Sequence, residues 1–148
     1  MIIKFAAKIR NDAKGAGYFG APRGSRTHNG QDHAMISGAD VLSPVRGFVT
    51  KLGYPYDPSR TSHIGLTYRY IEIETDDECK HRFFYVDPYS NIDLGDEVEI
   101  GDPIGVVQDI VKYHGEPMIN HIHYEIYRYD SFAEERIYID PDEYHLED

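Results

Sequence analysis

Two short strings near opposite ends of this 148-residue chain could together do metal chemistry: His28-Asn-Gly-Gln-Asp32 and His121-Ile-His123. The second lies in an alternating stretch from Asn120 to Tyr129. Successive side chains of a strand point to opposite faces, so His121 and His123 share one face and Ile122, Tyr124 and Ile126 the other. Catalytic zinc typically takes three ligands of the His and carboxylate type and leaves a fourth position for water. His28, Asp32 and one of the two strand histidines complete such a set, with one imidazole to spare.

Each string also has a plainer reading. A spacing of four puts His28 and Asp32 on one face of a helix, but Asn29 and Gly30 between them favour a loop-to-strand turn. An exposed turn has the same composition. His121 and His123 could be a surface pair on an edge strand, yet the apolar alternation makes theirs the open face, where a cleft can form. Glu125, on that face, could orient a ligand histidine; a solvated strand glutamate is the more common finding. Arg23 and Arg26 could hold a substrate carboxylate, and Tyr18, Tyr85 and Tyr113 could line a groove. His33 should face away from Asp32 in an extended segment, and His63, His81, His114 and His145 read as loop or surface residues.

The elements that must position these groups read as all-β with little helix. Gly and Pro punctuate short aromatic and β-branched runs, and thirteen tyrosines and six phenylalanines suit strands. Strands are expected over 45–52, 68–75, 81–86, 97–100, 104–108 and 122–129. The Gly/Arg/Asn-rich stretch 11–31 is a long loop leading into the first string, and such loops are often functional. A second loop covers 53–62, where Pro55 and Pro58 exclude an interior strand. The tail from Ser131 is acidic, and Ile137 to Ile139 can add an edge strand before Asp140-Pro141 ends it.

Length and composition fit a single domain. Apolar residues make up 41% of the chain, with no run long enough to span a membrane. A net charge of -11 repels nucleic-acid phosphates and excludes that class of partner. One cysteine, Cys79, permits no intrachain disulfide. The first ten residues carry scattered charges and lack the apolar core and cleavage site of a signal peptide.

Four motifs then occur in order: His28-x3-Asp32, Ser37 to Val49 with its Gly and Pro punctuation, Arg82-Phe-Phe-Tyr85, and the hairpin Gly95-Asp-Glu-Val-Glu-Ile-Gly-Asp-Pro-Ile-Gly105 ahead of His121-x-His123. This order resembles the lysostaphin-type (LytM-like) zinc endopeptidases, over roughly Gly20 to Ile126. The resemblance implies a single-domain, open-groove antiparallel β-sheet fold spanning 1–148, with a motif-bearing core of about 20–129. It implies one Zn2+ held by His28, Asp32 and His123, with His121 as a catalytic histidine.

Where the family carries a second catalytic histidine, in Tyr-x-His, the string Tyr85-Val86-Asp87 puts Asp87. Asp87 could act as a general base, fill the fourth metal position, or turn away with Pro88. The stretch from Phe84 through Tyr113-His-Gly115 to His123 is also similar to the leukocyte cell-derived chemotaxin branch. That branch keeps the metal site, lacks the same histidine and acts as a secreted signalling protein. Two functions are therefore expected. The first is a zinc endopeptidase acting on peptidoglycan peptides, extracellular, periplasmic or virion-associated; phage origin, with virion or tail proteins as partners, would explain the missing signal. The alternative is an inactive zinc-binding structural or binding module. A lipoyl or biotinyl carrier hairpin at Gly95 is excluded, because no lysine lies between Lys80 and Lys112.

Overall fold

The computed structural model describes residues 8–146, so most of the segment read for a signal peptide, Met1 to Ala7, lies outside the described residues. The chain opens with two small hairpins. These pair β1 (Asn11–Asp12) with β2 (Gly15–Ala16) and β3 (Pro22–Arg23) with β4 (Arg26–Thr27). Then follow β5 (Gly30–Ala34), β6 (Asp40–Leu42), β7 (Gly47–Gly53), β8 (Tyr70–Glu74), β9 (Lys80–Phe84), β10 (Val86–Pro88), β11 (Glu97–Val98) and β12 (Pro103–Val107). A one-turn helix α1 (Val111–His114) precedes β13 (His121–Asp130), β14 (Glu135–Ile139) and α2 (Pro141–Tyr144). The fold is all-β, as expected. The loop predicted over 11–31 contains the two hairpins and the start of β5. The loop over 53–62 holds no strand beyond Gly53 and carries a 3-10 turn at Pro58–Arg60, and the tail strand forms as β14.

The large sheet runs β11-β7-β8-β9-β13-β14, every pairing antiparallel, with β5 also paired to β13. The ten residues of β13 serve two partners on one edge, β5 along 121–125 and β14 along 126–130. A smaller sheet, β10-β12-β6, lies against it. Val41, Val86, Ile104 and Val107 of the small sheet meet Val49, Ile71, Ile73, Phe83, Ile122, Tyr124 and Ile126 of the large one in a common core. Each such side chain, fully buried, contributes roughly 1.5–3 kcal/mol.

The pleat divides the large sheet cleanly. Ile71, Ile73, Phe83, Ile122 and Ile126 go to the core. The other face carries two cross-strand rows fixed by register: Tyr70, Phe84, His123 and Asp32 in one, Glu72, Arg82, Glu125 and Gly30 in the next. In the second row Arg82 Nε donates to Glu72 Oε1 at 2.8 Å, and Thr50 and Tyr127 hydroxyls donate to the same carboxylate.

Three histidines differ from the loop-or-surface reading or sharpen it. His81 is fully buried, because it shares a face of β9 with Phe83. His145 is buried by α2, and the Tyr124 hydroxyl links the two, 2.7 Å from His81 Nδ1 and 3.0 Å from His145 Nε2. His33 faces away from Asp32, as expected, and packs near Tyr124. Sequence shows alternation but not that an imidazole, rather than an aliphatic group, fills the core side.

Burial pushes the His81 imidazole down to about 3 and that of His33 to about 4. The unfolded chain takes up these protons near pH 6.5, the folded chain only far lower, so stability is present above that pH and is lost as pH falls towards 4 and below. The unfolding midpoint should therefore drop steadily as pH falls from 6.5 towards 4, and His81→Gln should flatten that slope. A midpoint indifferent to pH between 4 and 7 would contradict the assignment.

Candidate metal centre

On the outer face of the sheet lies a cleft of about 430 Å³ whose lining includes His28, Asp32, His121, His123, Glu125 and Tyr85. Antiparallel pairing of β5 with β13 sets Asp32 directly opposite His123. Directly opposed residues on adjacent strands stand with Cβ atoms about 5 Å apart, so their side chains meet: His123 Nδ1 lies 3.0 Å from Asp32 Oδ1. His28, just before β5, brings its Nε2 to 3.0 Å from His123 Nδ1 and 3.2 Å from Asp32 Oδ1. Gly30 makes this approach possible. A Cβ there would stand 2.3 Å from the Tyr124 carbonyl oxygen and 3.0 Å from His123 Cε1.

The opposite ring nitrogens are all committed. His28 Nδ1 donates to the Tyr18 carbonyl at 3.1 Å, His121 Nδ1 to the Ile119 carbonyl at 2.8 Å, and His123 Nε2 to Glu125 Oε1 at 2.9 Å. Carbonyl and carboxylate oxygens only accept, so each of these nitrogens carries a proton and the other nitrogen of each ring faces the cleft. His121 Nε2 lies 3.8 Å from Asp32 Oδ2, beside the trio rather than in it.

The trio fits zinc. Three ligands about 2.0–2.1 Å from a tetrahedral ion stand about 3.3 Å from one another, and here the edges are 3.0, 3.0 and 3.2 Å. His28, Asp32 and His123 are also the group of metal-ligating types found clustered among the described residues.

Burial would raise the Asp32 carboxyl, but hydrogen bonds from His123 and His28 and the nearby charges hold it well below the usual carboxylate range. Arg10 takes its second oxygen: Nη1 donates to Asp32 Oδ2 at 3.0 Å while the rest of the guanidinium bonds Asp12. Burial opposes a proton on His123, but Asp32 and Glu125 outweigh it and raise that imidazole to about 9. Burial lowers His121, so that ring is neutral near pH 7 with a lone pair at Nε2.

Asp87 is not brought to this site. It is exposed on β10, paired with Val106 of β12, and does not line the cleft. The cause is Tyr85, whose φ of +68° breaks the alternation between β9 and β10. Phe84 and Tyr85 both face the cleft, Val86 enters the core, and Asp87 turns outward with Pro88. Of the three roles open to Asp87, turning away is the one the structure has. Glu125 is the converse correction: it is buried against His123, not solvated. Arg26 and Arg23 line the cleft, as do Tyr56 and His114 from distant loops, whereas Tyr18 and Tyr113 do not. Arg10 and Tyr56 were not singled out and His114 was read as a loop or surface residue, because the contacts that bring them to the cleft span 22 or more residues.

A family model, peptidase family M23, matches residues 26–141. The structure is similar to the antimicrobial peptidase lysostaphin from Staphylococcus simulans, with a TM-score of 0.65 at 20% identity; the match covers 94% of this chain and 50% of lysostaphin, so the chain spans half of that protein's length. It is similar to the catalytic domain of a prophage-encoded M23 protein from Enterococcus faecalis, with a TM-score of 0.63 at 19% identity over 97% and 95% of the two chains. A zinc-containing peptidase from Vibrio cholerae gives 0.55 at 23% identity, over 84% of this chain and 35% of its own. Among curated proteins no sequence matches. These likenesses agree on an all-β lysostaphin-type fold.

Metal at His123 Nδ1 must displace a proton held there up to about pH 9. Zinc affinity should therefore tighten by about tenfold per pH unit below that value and level off above it. Glu125→Gln should weaken zinc binding about 10–100-fold, the usual effect of losing a partner that orients a ligand. Isothermal titration of both proteins between pH 6 and 9 checks this; pH-independent affinity, or an unaffected variant, would contradict it.

Proposed function

The chain belongs to peptidase family M23, and from that premise we propose that it is a zinc metallo-endopeptidase hydrolysing peptide bonds of bacterial peptidoglycan. The observation that carries the reading is the convergence of His28 Nε2, Asp32 Oδ1 and His123 Nδ1 beside the free Nε2 of His121, all on one cleft. His28, Asp32 and His123 would hold one Zn2+. Bound zinc polarises a carbonyl and lowers the pKa of water from about 15.7 towards about 7.

The remaining work falls to the chain's own residues. His121 accepts a proton at Nε2 as the water oxygen bonds to the scissile carbonyl carbon. Its Nδ1 stays tied to the Ile119 carbonyl, which keeps the ring aimed. When the carbon–nitrogen bond breaks, Nε2 returns the proton to the leaving amine. Glu125 and Arg10 touch no substrate in this scheme; they hold His123 and Asp32 in place. The exposed Arg26, on the β3–β4 hairpin at the cleft, offers a cation to substrate carboxylates on a chain of net charge -11.

The position of Asp87 favours the enzyme over the zinc-stabilised binding module. A structural zinc site is closed by a fourth protein ligand, and Asp87, the residue with that prospect, faces away from the cleft. The whole chain is read as a single peptidase domain working where the wall is: extracellular, periplasmic or virion-associated.

Zinc-loaded protein incubated with purified peptidoglycan should release new amino termini. His121→Ala should lower that rate by at least about 10²-fold, and Asp87→Ala should change it by about twofold at most, as for other exposed positions. Absence of release from several wall types by protein holding stoichiometric zinc would move the reading to the binding module.

A further inference from the structure

Beyond the polarisation that zinc would supply, hydrolysis through this cleft leaves one role unassigned: a side-chain hydrogen-bond donor for the negative charge that develops on the scissile carbonyl oxygen. Asp32 and Glu125 are acceptors, and Arg10 is consumed by Asp12 and Asp32. His121 has one ring nitrogen tied to Ile119 and uses the other as base. Asp87 is outside the cleft. Tyr85 remains.

Its ring stands perpendicular to His121, with centroids 5.8 Å apart, so the phenol borders the same space as the base. Three separate segments hold it there. Tyr85 Oη lies 2.9 Å from Tyr56 Oη, and Tyr56 Oη lies 3.1 Å from His114 Nε2. Backbone bonds at Tyr85 N to the Arg69 carbonyl and from Gln108 N to the Tyr85 carbonyl pin the kink that aims the ring. A non-glycine residue at φ +68° persists only where its surroundings impose it.

We propose that Tyr85 is a catalytic residue, its phenol donating to the oxyanion of the tetrahedral intermediate, with Tyr56 and His114 as positioning residues behind it. The assignment rests on the peptidase reading above and extends it to a residue outside the metal set. The direction of the chain matters. Tyr85 has one proton to give, so Tyr56 must donate to Tyr85 Oη and His114 Nε2–H must donate to Tyr56 Oη. Charge developing on the substrate oxygen selects that polarity, since each donor then points towards it. Burial keeps the Tyr85 phenol protonated well past neutral pH.

The test compares the zinc-loaded full chain with Tyr85→Phe and Tyr56→Phe, which keep the rings and remove one oxygen each. Two readouts are taken: kcat and KM on a defined peptidoglycan stem peptide, and affinity for a phosphinic peptide that mimics the tetrahedral centre. Tyr85→Phe should lower kcat about 10²-fold with KM little changed, the usual effect of removing one such donor. It should weaken the phosphinic peptide by at least about tenfold while zinc stoichiometry and unfolding midpoint hold. Tyr56→Phe should give a smaller loss of the same kind. Unchanged kcat and phosphinic affinity in Tyr85→Phe, or losses that follow zinc loss or unfolding, overturn the assignment, as does a parent that binds no phosphinic peptide. A parent inert on peptidoglycan whose phosphinic affinity still depends on Tyr85 would overturn the wall substrate and uphold Tyr85.

Discussion

The register between β5 and β13 is the constraint on which the site depends. Setting Asp32 opposite His123 puts a carboxylate and an imidazole in contact across two adjacent strands. A slip of β13 by one residue would send His123 to the core face and part it from Asp32. Core packing prevents that slip, because Ile122, Tyr124 and Ile126 would leave the interior at the same time. Fold stability and site geometry are thus one commitment. The next pair along, Glu125 against Gly30, shows the same economy: the glycine's missing side chain lets the strands close, and the glutamate fixes the ligand two residues back.

Around that pair the chain invests in orientation. His28, His121 and His123 each have the far nitrogen tied to an oxygen, and Asp32 has its far oxygen tied to Arg10. The segment before the first hairpin, bridged to β5 at Ile9, delivers that arginine: Arg10 N donates to the Asp32 carbonyl, and Asp32 N to the Gly17 carbonyl. The cost is a set of buried charges, Arg10, Asp12 and Asp32, that are stable only together. Removing one partner from such a group leaves the others desolvated and unpaired.

Much of this was legible in the sequence, and the failures share a cause. Alternation around His121 and His123 identified both faces of β13, and the glycine and proline punctuation identified an all-β fold. Asp87 was read from its place in the Tyr-x-His motif with three roles open, and the kink at Tyr85 that turns it outward could not be read from that motif. A bulky residue in the left-handed region has no signature in composition. His81 was misread because burial beside Phe83 depends on which face meets the small sheet. Arg10 and Tyr56 went unnoticed, and His114 was read as loop or surface, for a different reason: their roles come from contacts that close only after the long segments 8–31 and 53–69 have folded over the cleft.

The most direct measurement is a crystal structure of the zinc-loaded protein with anomalous data collected on both sides of the zinc absorption edge. The account predicts one peak within bonding distance of His28 Nε2, Asp32 Oδ1 and His123 Nδ1, with water in the remaining position and Asp87 facing solvent. A peak elsewhere, or a fourth protein ligand closing the site, would contradict it.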